Sequence, residues 1–472
     1  MKESSFPQGS EVAKKRRHDS YRYLPAVISI VWVMATLAAF MSGIWEYPLT
    51  SVWPVFWFVC GTQACFLLGY VLAVRGHGQR KRRSLSQRVP SRLALGSAVV
   101  TLLLFLPTSL FRTGKMLPDV WWGIRNPGLA YAATASLNQA GRTPLIEYLR
   151  LPFAFFTAAV EPIVVFYWPR LPKSVRLVGA LAVSSTVALF LAMGTNKGVF
   201  DAILIAAVFL FASACSGILV VGRWKRMAIV ILIILSAVGF LGFFSGVSLR
   251  AGSGISYGIG PAGIHADMTK PLLSKMPETL RTAVLGLTSY ASQGYYGLGL
   301  GLALQEPFVP MYGAGSSIFL TRQVERLVGD PSFELRSYPV RVMNEDGWDA
   351  YVSWSTMYPW IASDVGFPGV LLVMVVVGWL LGRAWLGVLY KHDVFSVCLL
   401  SQMVIMLVYA SANNQSVQAG EGWFAFVSTV FLWFAANSMR LRHELDHAEL
   451  EVAGPMADTD RMAWTQIIGE GH

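Results

Sequence analysis

Residues 322–351 read RQVERLVGDPSFELRSYPVRVMNEDGWDAY. They belong to a polar interruption, residues 247–356, in a chain that is otherwise a succession of apolar segments. Of the 472 residues 54% are hydrophobic and 14% are charged, and the mean hydropathy is +0.50. Soluble domains carry about 25% charged residues. The chain therefore reads as one all-α integral membrane bundle broken by one large loop.

A helix needs about 20 apolar residues to cross the hydrocarbon of a bilayer. Ten segments qualify: 24–44, 51–74, 93–111, 151–168, 177–194, 199–220, 227–246, 357–382, 394–412 and 421–438. Basic clusters alternate between them. Lys14-Lys15-Arg16-Arg17, Arg80-Lys81-Arg82-Arg83, the Arg170/Lys173/Arg176 group and the Arg223/Lys225/Arg226 group all fall on one side. That side carries 24 Lys and Arg against six in the short loops of the other. Positive charge is retained in the cytoplasm, and long loops cross regardless of charge. The expected order is a cytoplasmic tail (1–23), a seven-helix region (24–246), an extracytoplasmic loop (247–356), a three-helix region (357–438) and a second cytoplasmic tail (439–472). From about His443 that tail reads as disordered or as a short surface helix. The net charge of +11 is then a matter of anionic headgroups and not of nucleic acid.

Ala283 to Leu304 (AVLGLTSYASQGYYGLGLGLAL) is long enough to span. One more span would reverse the last three helices and put Arg440 and Arg442 outside. A helix that lies on the membrane or re-enters it fits better, with its Gly and Tyr residues facing protein, because polar surface at that depth must be covered.

Several polar residues sit where chemistry at the outer face would need them. Lys197 follows the fifth span, and Asp201 lies four residues on. An exposed pair at that spacing is worth little, but a Lys at the membrane boundary suits a lipid phosphate. Arg142, Arg150 and Arg250 lie at span ends on the same side, where an Arg can simply snorkel or fork onto phosphate oxygens. Glu161, inside the fourth span, should face the bundle interior. In the long loop, charges balance and aromatics interleave. Tyr296, Arg322, Arg336, Arg341, Trp354 and Tyr358 have the mixture of ring faces and donors that suits sugars, although an interfacial aromatic belt would look similar. Asp364, Glu345, Asp346 and His265 are candidate general bases; His265 is the only outer histidine, and a lone loop histidine is more often just solvated. Cys60, Cys65, Cys215 and Cys398 fall in apolar segments and read as buried hydrophobes. No metal site is expected.

Four stretches together resemble the bacterial O-antigen polymerase family, the oligosaccharide repeat unit polymerases with their capsule and exopolysaccharide relatives. They are MGTNKGVFD (193–201), SYASQGYYGLGLGLALQEPFVPMYGAG (289–315), SWSTMYPWIASDVGFPGVLL (353–372) and, more weakly, RNPGLAYAATASLNQAGRTP (125–144). The resemblance implies a GT-C-like membrane glycosyltransferase bundle in the bacterial inner membrane. It implies a metal-independent reaction without a cofactor that joins undecaprenyl-diphosphate-linked oligosaccharide repeats at the periplasmic face. Flippase and chain-length-regulator proteins would be its partners, with membrane lipids around it. Lys197, Arg250, Arg142 and Arg150 would neutralise the diphosphate, and one of the four candidate bases would take the hydroxyl proton. The family's D-x-G site is here Asp364-Val365-Gly366-Phe367-Pro368-Gly369, with an added proline that a first helical turn tolerates. An O-antigen ligase shares the topology and relies on an outer histidine. A lipid or solute transporter would show paired half-repeats with broken helices, which are not seen. A non-catalytic export scaffold is the remaining class.

Overall fold

The structure is a computed structural model; it describes residues 21–76, 88–139, 143–195, 197–219, 222, 257–305 and 307–453. Arg142, Arg250 and the expected span 227–246 lie outside the described residues.

Among the described residues the protein is helical, with two isolated β-bridges and no extended sheet. Eight helices among the described residues are long and apolar enough to cross a membrane. In chain order, the main helices are α1 (Leu24–Met41), α2 (Trp53–Arg75), α3 (Arg88–Thr113), α4 (Val120–Arg125), α5 (Pro127–Gln139), α6 (Thr143–Arg150), α7 (Ala154–Tyr167), α8 (Lys173–Ala192) and α9 (Lys197–Cys215). The chain continues through α10 (Glu278–Ala303), α11 (Ile318–Val328), α12 (Tyr338–Asp346), α13 (Met357–Leu386), α14 (Val394–Val408) and α15 (Gly420–Ala453). One end of the bundle carries the segment 257–356; it is called the loop end below.

The tightest packing is between α2 and α13, and glycine makes it possible. A Cβ at Gly69 would lie 1.8 Å from the Val375 carbonyl oxygen, and one at Gly378 would lie 1.9 Å from that of Phe66. The two backbones touch, so each glycine opens the way for the other helix. α13 itself is broken at Gly366, whose φ of 69° and ψ of 162° are not helical. Only glycine adopts that conformation without strain. Pro368 follows and starts the second helical piece, where its missing N–H costs nothing. The glycine and proline of the 364–369 stretch thus make a bend at the loop end of α13.

Two features were not foreseen. Residues 114–150, expected to be a plain connection, carry three short helices, α4 to α6. Asp119 caps α4 by accepting from the Trp122 amide at 3.0 Å. Gly123 and Gly194 dock this segment on the end of α8: their Cβ positions lie 2.2 Å from the Leu191 carbonyl oxygen and 2.1 Å from that of Pro127. Trp121, Leu129, Tyr131 and Leu145 stay exposed, as side chains at a lipid interface do. Second, α14 is only 15 residues long. The chain leaves helical geometry at Tyr409 and runs irregularly to Ala419, and most of that run is buried.

α10 lies against α1, α2, α12 and α13. Tyr295 is fully buried; its hydroxyl reaches Thr36 Oγ1 at 2.9 Å and the Val33 carbonyl at 3.2 Å. Tyr47 stacks on Tyr296 and pairs with Ser292 Oγ at 2.9 Å. The glycines and tyrosines of α10 therefore face protein. At the other end of the chain, α15 continues beyond His443 to Ala453 as a helix.

Overpacking a tight contact costs about 1–3 kcal/mol. Gly69→Ala and Gly378→Ala should each lower the melting temperature of the purified protein measurably. Gly96→Ala, with nothing within 4 Å of its new methyl, should not. Equal melting of all three would show that the α2–α13 contact is looser than described.

Candidate functional site

The irregular run 409–419 must find hydrogen-bond partners, because an unsatisfied backbone group inside an apolar bundle costs several kcal/mol. It takes them from three directions. Met357 N–H donates to the Ala410 carbonyl at 3.0 Å. Phe319 N–H and Ser317 Oγ donate to the Gln418 carbonyl at 3.2 and 3.3 Å. Asn414 Nδ2 donates to the Ser316 carbonyl at 3.0 Å. A Cβ at Gly294 of α10 would lie 2.0 Å from the Ser411 carbonyl oxygen, and the Gly294 carbonyl accepts from Thr356 N–H at 3.1 Å. Two of the four quoted stretches, 289–315 and 353–372, are thereby brought together over this run.

Asp364 fastens the arrangement. Its Oδ1 accepts from Gly313 N–H at 2.8 Å and from Gly315 N–H at 2.7 Å; its Oδ2 accepts from Ser316 N–H at 2.8 Å. The neighbouring Ser363 carbonyl accepts from Met311 N–H at 3.1 Å. Both carboxylate oxygens are committed to the backbone of the 311–316 turn. A carboxylate so occupied is an anchor. Gly315 leaves no room for a side chain, since its Cβ would lie 3.0 Å from Asp364 Oδ1 and 2.6 Å from Ser363 Cβ.

Between the first turn of α11, the 350–355 segment, α13 and the 409–419 run lies a cavity of about 320 Å³. Arg322, Tyr351, Trp354 and Trp360 give it cationic and aromatic walls. Ser353, Ser355, Asn413 and Gln418 give it hydroxyl and amide groups, and Ile318 and Ala350 complete it. Ser355 is 3% exposed, and its Oγ has no hydrogen-bond partner among the described residues. The same holds for Asn413 Oδ1. Buried polar groups are rarely left without partners; these two oxygens are enclosed beside the cavity as unused acceptors. Gly297 makes room for Ser355, whose Oγ would lie 2.4 Å from a Cβ there. Arg322 stands over the Tyr351 ring at 5.4 Å. The Tyr351 hydroxyl donates to Glu334. Burial, followed by the Glu334 carboxylate, pushes the Tyr351 phenol well above its usual pKa.

The other expected residues divide by surroundings. Tyr296 stands behind the cavity: it meets Trp348 edge-on at 4.8 Å, and Trp348 Nε1 donates to the Trp354 carbonyl at 3.0 Å. Tyr358 is fully buried, and its hydroxyl accepts from Gln63 Nε2 at 3.2 Å, so it is part of the bundle core. Arg341 is 6% exposed, donates to the Pro307 carbonyl at 3.3 Å and lies over Tyr338. Arg336 pairs with Asp330 at 2.8 Å. Ser332, through its side chain and then its amide, holds the Asp330 carboxyl below its usual pKa, with Arg336 adding to the effect. Glu345 and Asp346 are exposed at the end of α12. His265 is exposed on a separate patch, bridged to Ile259, with its carbonyl accepting from Glu46 N–H at 2.9 Å.

Of the proposed phosphate cations, Arg150 is already engaged. It forks onto Glu421, Nε to Oε2 at 2.9 Å and Nη2 to Oε1 at 2.5 Å, and donates to Thr108 Oγ1 at 2.9 Å. Thr157 Oγ1 also donates to Glu421, at 3.0 Å. This pair ties α6 to the start of α15. Lys197 bonds to Asp201 at 2.7 Å and lies 5.2 Å from the centre of the Tyr409 ring. The Tyr409 hydroxyl donates to the other Asp201 oxygen at 2.8 Å. Asn413 N–H donates to the Tyr409 carbonyl at 2.8 Å. Lys197 and the cavity are therefore linked by a single turn of chain.

Asn413 and Gln418 were missed from sequence, although the run SANNQSVQAGEG at 411–422 interrupts two apolar spans. It holds amides and hydroxyls, and the search favoured charges. The expectation of no metal also overlooked His443-Glu444-Leu445-Asp446-His447. That stretch lies more than 20 residues along α15 from Glu421, about 33 Å at 1.5 Å per residue, and takes no part in the cavity. Comparison with family models, with curated proteins and with solved structures finds no match to this chain. The family resemblance rests on the four stretches alone.

Asp364→Ala should free the 311–316 turn. Amide hydrogen exchange at Gly313, Gly315 and Ser316 should quicken by about tenfold or more, since each bond to a charged acceptor is worth roughly 1.5–3 kcal/mol. Unchanged exchange would remove the anchor. Arg150→Ala leaves the partly buried Glu421 with Thr157 as its donor and without its cation, a loss of roughly 1.5–3 kcal/mol for a hydrogen-bonded charge. It should reduce folded yield far more than Lys197→Ala, whose pair is half exposed.

Proposed function

We propose that this protein is a membrane glycosyltransferase that polymerises lipid-diphosphate-linked oligosaccharide repeats into surface polysaccharide, with its loop end and cavity on the outer face of the bacterial inner membrane and both termini inside. The observation that carries this reading is the cavity itself. Four of its lining residues, Ser353, Trp354, Ser355 and Trp360, come from one of the stretches that resemble the polymerase family, and it offers ring faces, hydroxyls, amides and one guanidinium side by side. Sugar rings have apolar C–H faces and hydroxylated edges, and such a wall matches both.

In this reaction the acceptor sugar's hydroxyl oxygen attacks the donor's anomeric carbon. The bond from that carbon to the phosphate oxygen breaks, and the lipid diphosphate leaves with the electron pair. Lys197 is the described cation placed to meet the developing charge, one turn of chain from Asn413 in the cavity wall. The hydroxyl proton passes to a base, and Glu345 and Asp346 are the exposed carboxylates on α12 for that role. Asp364 acts indirectly, by holding the turn that shapes the cavity.

Deleting the gene in its host and running the surface polysaccharide on a gel tests the class of function. A single repeat capped on the lipid core is the expected result. Finished polymer stalled on its carrier would mean a ligase, and unflipped repeats a transporter. Complementation with Lys197→Ala should leave expression intact and cut polymerisation about 100-fold or more, the usual loss when a group stabilising transition-state charge is removed. Polymer of normal length in that strain would remove Lys197 from the reaction.

A further inference from the structure

The proposed polymerase accepts any repeat its cavity fits, and the cavity's charge narrows that choice. Among its described lining residues, Arg322 is the one charged side chain. It forms no salt bridge with a described carboxylate; it lies over the Tyr351 ring and hydrogen-bonds the Tyr351 side chain. Two acids next to Tyr351 in space or sequence, Glu334 and Asp349, have other hydrogen-bond partners. Glu334 accepts from the Tyr351 hydroxyl and from no lining cation, while Asp349 Oδ1 accepts from the amides of Tyr351 and Val352 at 2.7 and 3.1 Å. An arginine resting on a tyrosine keeps its guanidinium fork oriented and partly shielded from water, and that fork matches a carboxylate in two parallel bonds. The partnerless oxygens of Ser355 and Asn413 lie in the same wall.

We propose that this cavity is a subsite for an acidic sugar, a hexuronic acid residue of the repeat, whose carboxylate pairs with Arg322 while Trp354 or Trp360 covers the ring and Ser355 and Asn413 take its hydroxyls. The proposal rests on the glycan-polymerase reading and names its substrate class. One formal positive charge matches one carboxylate. A diphosphate carries more charge and calls for several cations, and the lining holds a single one. The volume of about 320 Å³ is at the lower end of ligand pockets, roughly 300–1,000 Å³, and suits one or two sugar rings better than a lipid headgroup with its sugar.

The full-length protein in lipid nanodiscs can be titrated with methyl β-D-glucuronide, methyl β-D-glucoside and inorganic pyrophosphate, with binding read by saturation-transfer NMR. The glucuronide should bind about tenfold or more tighter than the glucoside, the range for a hydrogen-bonded charge. Arg322→Gln should erase that preference and leave glucoside binding in place. Arg322→Lys, which keeps the charge and loses the fork, should fall between. Arg322 is exposed, and retention of the wild-type melting temperature in both variants keeps the comparison one of binding. Equal binding of the two glycosides would overturn the proposal, as would a preference that survives Arg322→Gln. Displacement of the glucuronide by equimolar pyrophosphate would also overturn it and make the cavity the diphosphate site. Loss of polymer on deletion, without a glucuronide preference in the binding assay, sinks this inference alone. A glucuronide preference in a protein whose deletion leaves polymer intact supports the subsite and sinks the polymerase.

Discussion

The rest of this structure depends on how one irregular stretch, residues 409–419, is supplied with hydrogen bonds inside an apolar bundle. α14 ends after 15 residues, and the chain beyond it satisfies only part of its backbone by itself, as in the Asn413 to Tyr409 and Gln418 to Asn414 bonds. In a buried run the remaining groups need protein partners. The start of α13, the 311–319 turn and α10 converge on it for that reason. Asp364 holds the turn, Gly366 breaks α13 nearby, and Gly294 lets α10 approach. The cavity is what remains between these elements once the backbone has been paired.

That dependence separates residues that build the site from those that face a ligand. Asp364, Gly294, Gly297, Gly315 and Gly366 act through backbone geometry. Arg150 and Glu421 join α6 to α15 and keep the neighbouring wall upright. Arg322, Tyr351, Trp354, Ser355, Asn413 and Gln418 present their side chains to the cavity. Changes in the first group should act on stability and exchange, and changes in the second on recognition.

The helices were legible because their signal is local and redundant. About 20 apolar residues in a row have few other readings, and each described span from 24–44 to 421–438 has a helix beneath it. Details failed where tertiary contacts decide. α4 to α6 are short, and their docking depends on Gly123 and Gly194 meeting another helix, which no local pattern announces. The cavity was half legible: Arg322 and Trp354 stand in it, while Tyr358 is core and Arg341 is buried beside Tyr338. An aromatic or an arginine in a loop carries no mark of which way it will face. Arg150 shows the same limit, because its partner Glu421 is 271 residues away. Asn413 and Gln418 lacked charge and were passed over, yet uncharged amides are what a sugar site in a low-dielectric setting favours, since a buried unpaired charge costs more than a buried amide.

The central claim is that a glycan occupies the cavity between the 311–319 turn and the 409–419 run. A lipid-linked oligosaccharide repeat carrying a photoactivatable diazirine on a sugar tests it most directly, with crosslinked peptides identified by mass spectrometry. The account predicts adducts within residues 350–360 and 411–418, suppressed by excess unlabelled repeat. Competable adducts confined to the patch around His265, or to α4 to α6, would contradict it.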